Sequence, residues 1–122
     1  MTKIIFVEDE PTLQKTLCDV LRKEGYDVKA AFDGVAGLEL IKLEKPDLVL
    51  LDLILPKMDG FTVLKKMRED EETKDIPVMI LTNLEGTFDV ERVLELGATT
   101  YLVKANYELR EVVEKIKKML EK

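Results

Sequence analysis

The stretch LVLLDLILP, residues 48–56, sets one carboxylate, Asp52, inside an apolar run. An unpaired buried charge is costly, so proteins neutralise it, pair it or use it to hold a metal. The run is too short and too interrupted to span a bilayer. Leu48 to Leu51 instead reads as a buried strand, with Asp52 where that strand meets a loop. What else reaches the same edge decides both the fold and the chemistry.

The same alternation extends on both sides of this strand. Upstream, KIIFV (3–7) is a first strand and EDEPTLQKTLCDVLRKEG (8–25) holds a helix. Pro11 suits its first turn, Leu13, Leu17, Val20 and Leu21 fall on one face, and Gly25 follows as a stop. YDVKAA (26–31) is a second strand, polar enough to be an edge. Asp33 caps the next helix, whose apolar set is Val35, Leu38 and Ile41.

Downstream of PKMDG (56–60), FTVLKKMRED (61–70) is a short third helix. IPVMILT (76–82) is the fourth strand, with Pro77 tolerable at its start. A fourth helix runs from about Thr87 to Leu96 and ends at Gly97, and TTYLVK (99–104) is the fifth strand. Asn106 is the expected cap of a last helix carrying Leu109, Val112, Val113, Ile116 and Leu120. Five strands alternating with five helices imply an α/β doubly wound fold, a parallel sheet covered on both faces. Right-handed crossovers leave few topologies.

The 122 residues, 46% apolar and 36% charged, suit one globular domain over residues 1–122 with no repeat or linker. The net charge of −6 and a pI near 4.8 argue against nucleic acid or anionic membrane as direct partners. Cys18 is alone, which excludes a disulfide framework within the chain. His is absent, which excludes Cys/His zinc sites and Ser-His or Cys-His nucleophile pairs. The opening MTKIIFVEDE lacks a secretory pattern, so the expected location is cytoplasmic.

In doubly wound sheets, sites form at the carboxyl ends of the strands. Strand one delivers Glu8, Asp9 and Glu10 there, strand three Asp52, strand four Thr82 and strand five Lys104. Singly, an acid after a strand is more often a cap or turn residue, and a Thr reflects β propensity. Together they form one constellation. Two carboxylates about 5 Å apart repel by about 3 kcal/mol at an effective dielectric near 20. A divalent cation removes that penalty, and Mg²⁺ favours a few carboxylates, waters and phosphate oxygens. Asp9 and Asp52 meet that demand, with Glu8 as a direct or water-mediated ligand. Asp52 is then placed to attack phosphorus and form an aspartyl phosphate. Lys104, the Thr82 hydroxyl and nearby backbone N–H groups are available to the equatorial oxygens.

These residues resemble the receiver domains of bacterial two-component response regulators, over essentially the whole chain. FVEDEP looks like the acidic pocket, VLLDLILPKMDG like the phosphoacceptor strand and loop, ILT like the hydroxyl position, and LGATTYLVK like the switch aromatic and lysine. The resemblance implies a flavodoxin-like (βα)5 three-layer sandwich with strand order 2-1-3-4-5. It implies Asp52 as phosphoacceptor and Glu8, Asp9, Asp52 and the backbone carbonyl of Ile54 as Mg²⁺ ligands. A histidine kinase or histidine phosphotransfer protein would supply the phosphoryl group, and a downstream protein would read the result. Thr82 and Tyr101 would form the switch, remodelling the face of helix four, strand five and helix five. Such a protein is a signalling switch that catalyses its own phosphorylation and dephosphorylation rather than an enzyme. It is expected to be a monomer, at most weakly dimerising on phosphorylation.

The chain departs from the family pattern in three respects. Ala105 follows Lys104 where the family has a cis proline, so a trans Lys104–Ala105 bond is expected, a non-proline cis bond costing about 3–4 kcal/mol. Asn83 stands where a small residue is usual, and Ile54 and Leu84 offer no group to orient water, which points to slow self-dephosphorylation. Thr99 and Thr100 replace acids used in dimer salt bridges. Among rivals, a haloacid-dehalogenase-type phosphatase needs an acid two residues after its nucleophile, where Ile54 stands. A flavodoxin-like FMN carrier needs a Ser/Thr/Gly-rich phosphate loop where EDEPT stands. The alternative that keeps the fold is a pseudo-receiver, an interaction module not regulated by phosphorylation. Its usual mark is loss of the Asp, the Lys or the acidic pair, all of which are present. In this family helix one helps dock the kinase; its residues read as exposed, Gln14, Lys15, Asp19 and Arg22, specify no partner.

Overall fold

The computed structural model describes residues 1–84 and 86–121. Lys122, the last residue of the expected domain, lies outside them. Among the described residues the order is β1 (Lys3–Val7), α1 (Pro11–Lys23), β2 (Asp27–Ala31), α2 (Gly34–Glu44), β3 (Leu48–Leu51), α3 (Gly60–Glu69), β4 (Val78–Thr82), α4 (Thr87–Glu95), β5 (Thr100–Val103) and α5 (Leu109–Leu120). A 3-10 turn over Lys104–Asn106 joins β5 to α5.

The strands form one parallel sheet in the order β2-β1-β3-β4-β5, so the expected doubly wound arrangement and the edge position of β2 both hold. Strand alternation sorts the apolar residues onto two faces. Ile4, Phe6, Leu48, Leu50, Met79, Leu81 and Leu102 pack against α1 and α5. Ile5, Val7, Val49, Leu51, Val78 and Ile80 pack against α2, α3 and α4. β3 and β4 are buried on both faces, which explains why their sequences are continuous apolar runs.

The helix ends follow local chemistry. Pro11 opens α1, and the Glu10 side chain accepts from Thr12 N and Leu13 N. Gly25, at φ +97°, takes the left-handed conformation that ends the helix. Asp33 caps α2 as expected, by accepting from Ala36 N at 2.7 Å.

Three expectations are corrected. Glu108, not Asn106, caps α5: Glu108 and Glu111 form a reciprocal capping box, and the 3-10 turn has already used Asn106. Val35 is exposed, because α2 buries Gly34, Gly37, Leu38 and Ile41 instead. Gln14 is buried rather than presented to a partner, while Lys15 and Arg22 remain exposed and Asp19 partly so. Among the described residues, no helix is long and apolar enough to cross a membrane.

Candidate functional site

Sheet register assembles the site before any side chain is considered. Val7 pairs with Leu51, so Glu8 and Asp52 each stand one residue beyond a matched pair. Thr82 pairs with Val103, so Lys104 stands one residue beyond Thr82. The ladder continues past the strands on the acidic side, through Glu8 N to Ala31 O at 3.0 Å and Asp52 N to Val7 O at 3.1 Å.

Glu8 is fully buried and Asp52 is 5% exposed, while Asp9 faces solvent. One carboxylate oxygen from each of Glu8, Asp9 and Asp52 lies within 4.8 Å of the other two. The Lys104 ammonium sits among them. Its Nζ donates to Asp52 Oδ2 at 2.9 Å and lies 2.6 Å from Glu8 Oε1. The second contact is an ion pair without hydrogen-bond alignment. Ile54 N donates to Asp52 Oδ1 at 3.2 Å, and Glu10 N to Glu8 Oε2 at 3.2 Å. The Asp52 carboxylate is therefore buried but paired on both oxygens.

Electrostatics follows this crowding. Burial pushes the Glu8 carboxyl up to about 7; contact with Lys104 opposes the rise and the nearby Asp52 charge adds to it. Burial alone would lower Lys104, but its contacts with Glu8 and Asp52 outweigh that and hold it above the usual lysine range. One ammonium thus compensates two buried acids, and the third acid stands open to solvent. Hard oxygen donors with a surplus negative charge and an open side are the donor set that Mg²⁺ takes.

Thr82 is fully buried, and its hydroxyl oxygen has no hydrogen-bond partner. An orphaned hydroxyl at a strand end, one register step before Lys104, is a group open to an acceptor. Tyr101 is half-buried and its hydroxyl donates to Leu84 O at 2.6 Å, tying β5 to the loop after β4. The Lys104–Ala105 bond is trans, as expected.

The β3–α3 loop, which carries Ile54, is braced from α2. Gly34 N donates to Pro56 O at 3.2 Å, and Met58 N turns back to the same carbonyl at 2.7 Å. Lys57 lies between them at φ +67°. A non-glycine residue in that conformation stores strain, and such strain gathers beside functional sites. Ile54 is 58% exposed, so its side chain leaves the carboxylates clear.

The structure thus brings together Glu8, Asp9, Asp52 and Lys104, with Thr82 on the adjoining strand, and places Tyr101 on β5 two residues before the partner of Thr82. Sequence reasoning missed one member of the neighbourhood. Gln14 reaches from α1 and donates to Glu8 O and Ala31 O, each at 2.9 Å.

Comparison with known proteins gives consistent matches. The model of the response regulator receiver domain matches residues 4–117. The DNA-binding dual master transcriptional regulator RpaA of Synechocystis is 39% identical over 120 residues. That match takes in 98% of this chain and 49% of the regulator, so the chain spans about half the length of the curated relative it matches. The chemotaxis protein CheY4 of Vibrio cholerae superposes with a TM-score of 0.90 at 26% identity, covering 98% of this chain and 99% of that one. A receiver domain of a sensor histidine kinase from Pseudomonas aeruginosa, solved with a magnesium ion coordinated in its active-site cleft, gives 0.85 at 28% identity, covering 97% and 96%.

Proposed function

The chain belongs to the response regulator receiver domains of two-component systems, and from that premise we propose that it accepts a phosphoryl group on Asp52. The donor is the phosphohistidine of a histidine kinase or histidine phosphotransfer protein, and the reaction depends on Mg²⁺. The observation that carries this reading is the Asp52 carboxylate, 5% exposed yet 2.9 Å from Lys104 Nζ and clustered with Glu8 and Asp9.

An oxygen of Asp52 attacks phosphorus as the bond from phosphorus to the donor imidazole breaks. The imidazole nitrogen leaves with that electron pair. Glu8, Asp9, Asp52 and the Ile54 carbonyl would hold Mg²⁺, which supplies positive charge to the carboxylates and to a phosphoryl oxygen. Lys104 keeps its hold on the edge and turns its ammonium to a second oxygen. The buried Thr82 hydroxyl, which lacks a partner, donates to a third. Movement of Thr82 toward the phosphoryl group opens room beneath the β4–α4 loop. Tyr101, bonded to Leu84 O in that loop, follows it inward and changes the α4–β5–α5 face that a downstream protein reads.

On this reading the protein is a stoichiometric switch rather than an enzyme. It works in the cytoplasm as a monomer, at most weakly dimerising when phosphorylated, with no direct nucleic-acid contact by this domain. Proteins sharing the domain include a transcriptional regulator, a chemotaxis protein and a sensor kinase, so the fold does not select the output.

The test is intact-mass spectrometry after incubation with acetyl phosphate and Mg²⁺, beside Asp52→Asn and EDTA controls. One phosphoryl group added to the wild type alone, and lost with EDTA, supports the assignment. A folded protein that binds no Mg²⁺ and takes no phosphoryl group would instead be a pseudo-receiver.

A further inference from the structure

We propose that Gln14 is a positioning residue of the acidic pocket, setting the direction in which Glu8 and Asp9 present their carboxylates to the cation. This deepens the reading of Glu8, Asp9 and Asp52 as a Mg²⁺ site and rests on it.

Gln14 lies on the first turns of α1 and is 7% exposed, an unusual burial for an amide side chain. Both of its N–H groups are used, one on Glu8 O and one on Ala31 O, each at 2.9 Å. Two carbonyl acceptors leave no choice of amide orientation, because only the NH₂ end can face both. Glu8 O belongs to the peptide that joins Glu8 to Asp9. Its plane fixes how the Cα–Cβ bonds on either side are aimed, so a bond to that carbonyl aims two candidate ligands at once. Glu8 N bonds to Ala31 O at 3.0 Å, so the plane before Glu8 and the plane after it are tied to one point on β2. Glu10 then starts α1 with its own side chain on Thr12 N and Leu13 N. Within the loop Glu8–Asp9–Glu10, Gln14 holds the Glu8 carbonyl, Glu10 N donates to Glu8 Oε2 and Gln14 N donates to Glu10 O. The Asp9 side chain has no hydrogen bond among the described residues.

Fixing the ligands beforehand lowers what the cation must spend on ordering them. Hydrogen-bond partners of the ligating side chains themselves govern affinity by about 10–100-fold. Gln14, which holds the main chain between two of them, is expected at the lower end of that range. Saturating Mg²⁺ restores the arrangement, so Gln14 acts on affinity and much less on the transfer step.

The experiment titrates Mg²⁺ alone into the apo protein by calorimetry, for the wild type, Gln14→Met, Gln14→Ala and Gln14→Arg, with circular dichroism confirming the fold of each. Met keeps the volume without donors, Ala keeps helix propensity should Met not fold, and Arg retains donors. The expected result is a Kd raised about tenfold in the Met and Ala variants and within about threefold of wild type in Arg. In parallel, half-saturating Mg²⁺ for phosphorylation by acetyl phosphate rises by the same factor, with the rate at saturating Mg²⁺ near wild type. Folded Met and Ala variants whose Kd stays within about twofold of a Mg²⁺-binding wild type would overturn the role of Gln14 and leave the site intact. A wild type that binds no Mg²⁺ would overturn the site itself, and this assignment with it.

Discussion

Gly60 begins α3 directly against the carbonyl of Asp52. A Cβ on Gly60 would stand 2.2 Å from that oxygen and 2.7 Å from Leu53 Cα, while Gly60 N donates to Leu53 O at 2.9 Å. Its value as a glycine is therefore room, since its backbone is not in the left-handed region. The obstructing atoms are main chain and cannot rotate away.

Gly60→Ala is therefore expected to displace the phosphoacceptor strand end and to destabilise the fold by about 3 kcal/mol, the upper range for overpacking. Gly25→Ala is the contrast: nothing lies within 4 Å of its added Cβ, and the cost is the left-handed backbone alone, about 1 kcal/mol. Urea denaturation of both variants measures the difference. Equal effects would show that the strand end yields to the methyl group.

Lys104 is the sole cation in contact with the paired acids Glu8 and Asp52 among the described residues. Lys104→Gln is expected to destabilise the metal-free protein by about 2–4 kcal/mol, because removing one partner of a buried ion pair leaves the other charge uncompensated. Mg²⁺ should recover much of that loss, so the gap between wild type and variant narrows in a Mg²⁺ series of thermal melts. Phosphorylation by acetyl phosphate should remain slow even in saturating Mg²⁺. A metal-free variant as stable as wild type would show that Glu8 sheds its charge without help from Lys104.

The cation itself should stabilise the fold by mass action, by about 2.7 kcal/mol at a hundredfold excess over Kd. EDTA should remove that increment completely. In Asp9→Asn, the surface member of the acidic set, the increment should shrink while metal-free stability stays within about 0.5 kcal/mol of wild type, as is usual for exposed positions. Melting temperature against Mg²⁺ concentration reads both quantities. An Asp9→Asn curve that tracks wild type would place the ion elsewhere.

How much of this was legible depended on whether partners lie along the chain or across it. The parallel sheet and the carboxyl-edge set were readable because apolar runs alternate with amphipathic ones, and because a parallel sheet sends every strand end to one edge. The strand order came from the family resemblance. Burial within the helices follows spacing rather than residue polarity. The buried stripe of α1 is Gln14, Leu17, Cys18 and Leu21, and that of α2 is Gly34, Gly37, Leu38 and Ile41. Both run at i, i+3, i+4, i+7, so helical period alone places Gln14 inside and Val35 outside. The carbonyls that satisfy Gln14 belong to Glu8 and Ala31, and Ala31 reaches it only through sheet pairing. Asn106 failed as a cap because a 3-10 turn after β5 shifted the start of α5 to the Glu108–Glu111 box. The orphaned hydroxyl of Thr82 and the approach of Gly60 to Asp52 are properties of packed backbone, with no local signature.

Once formed, the aspartyl phosphate should be long-lived. Hydrolysis needs water aligned behind phosphorus, and a polar side chain beside the site speeds it by orienting that water. Ile54 is 58% exposed beside Asp52 and offers no such group, and Leu84 is half-buried with its carbonyl engaged by Tyr101. Asn83 is exposed and carries an amide next to Thr82 on the loop side. The expected half-life in Mg²⁺ buffer at 25 °C is minutes or longer, followed by mass spectrometry after removal of the donor. Ile54→Asn, which adds a donor and acceptor without touching the carboxylates, should shorten it several-fold with the Mg²⁺ Kd unchanged. A wild-type half-life of seconds would assign the water-orienting role to Asn83, and Asn83→Ala should then lengthen it.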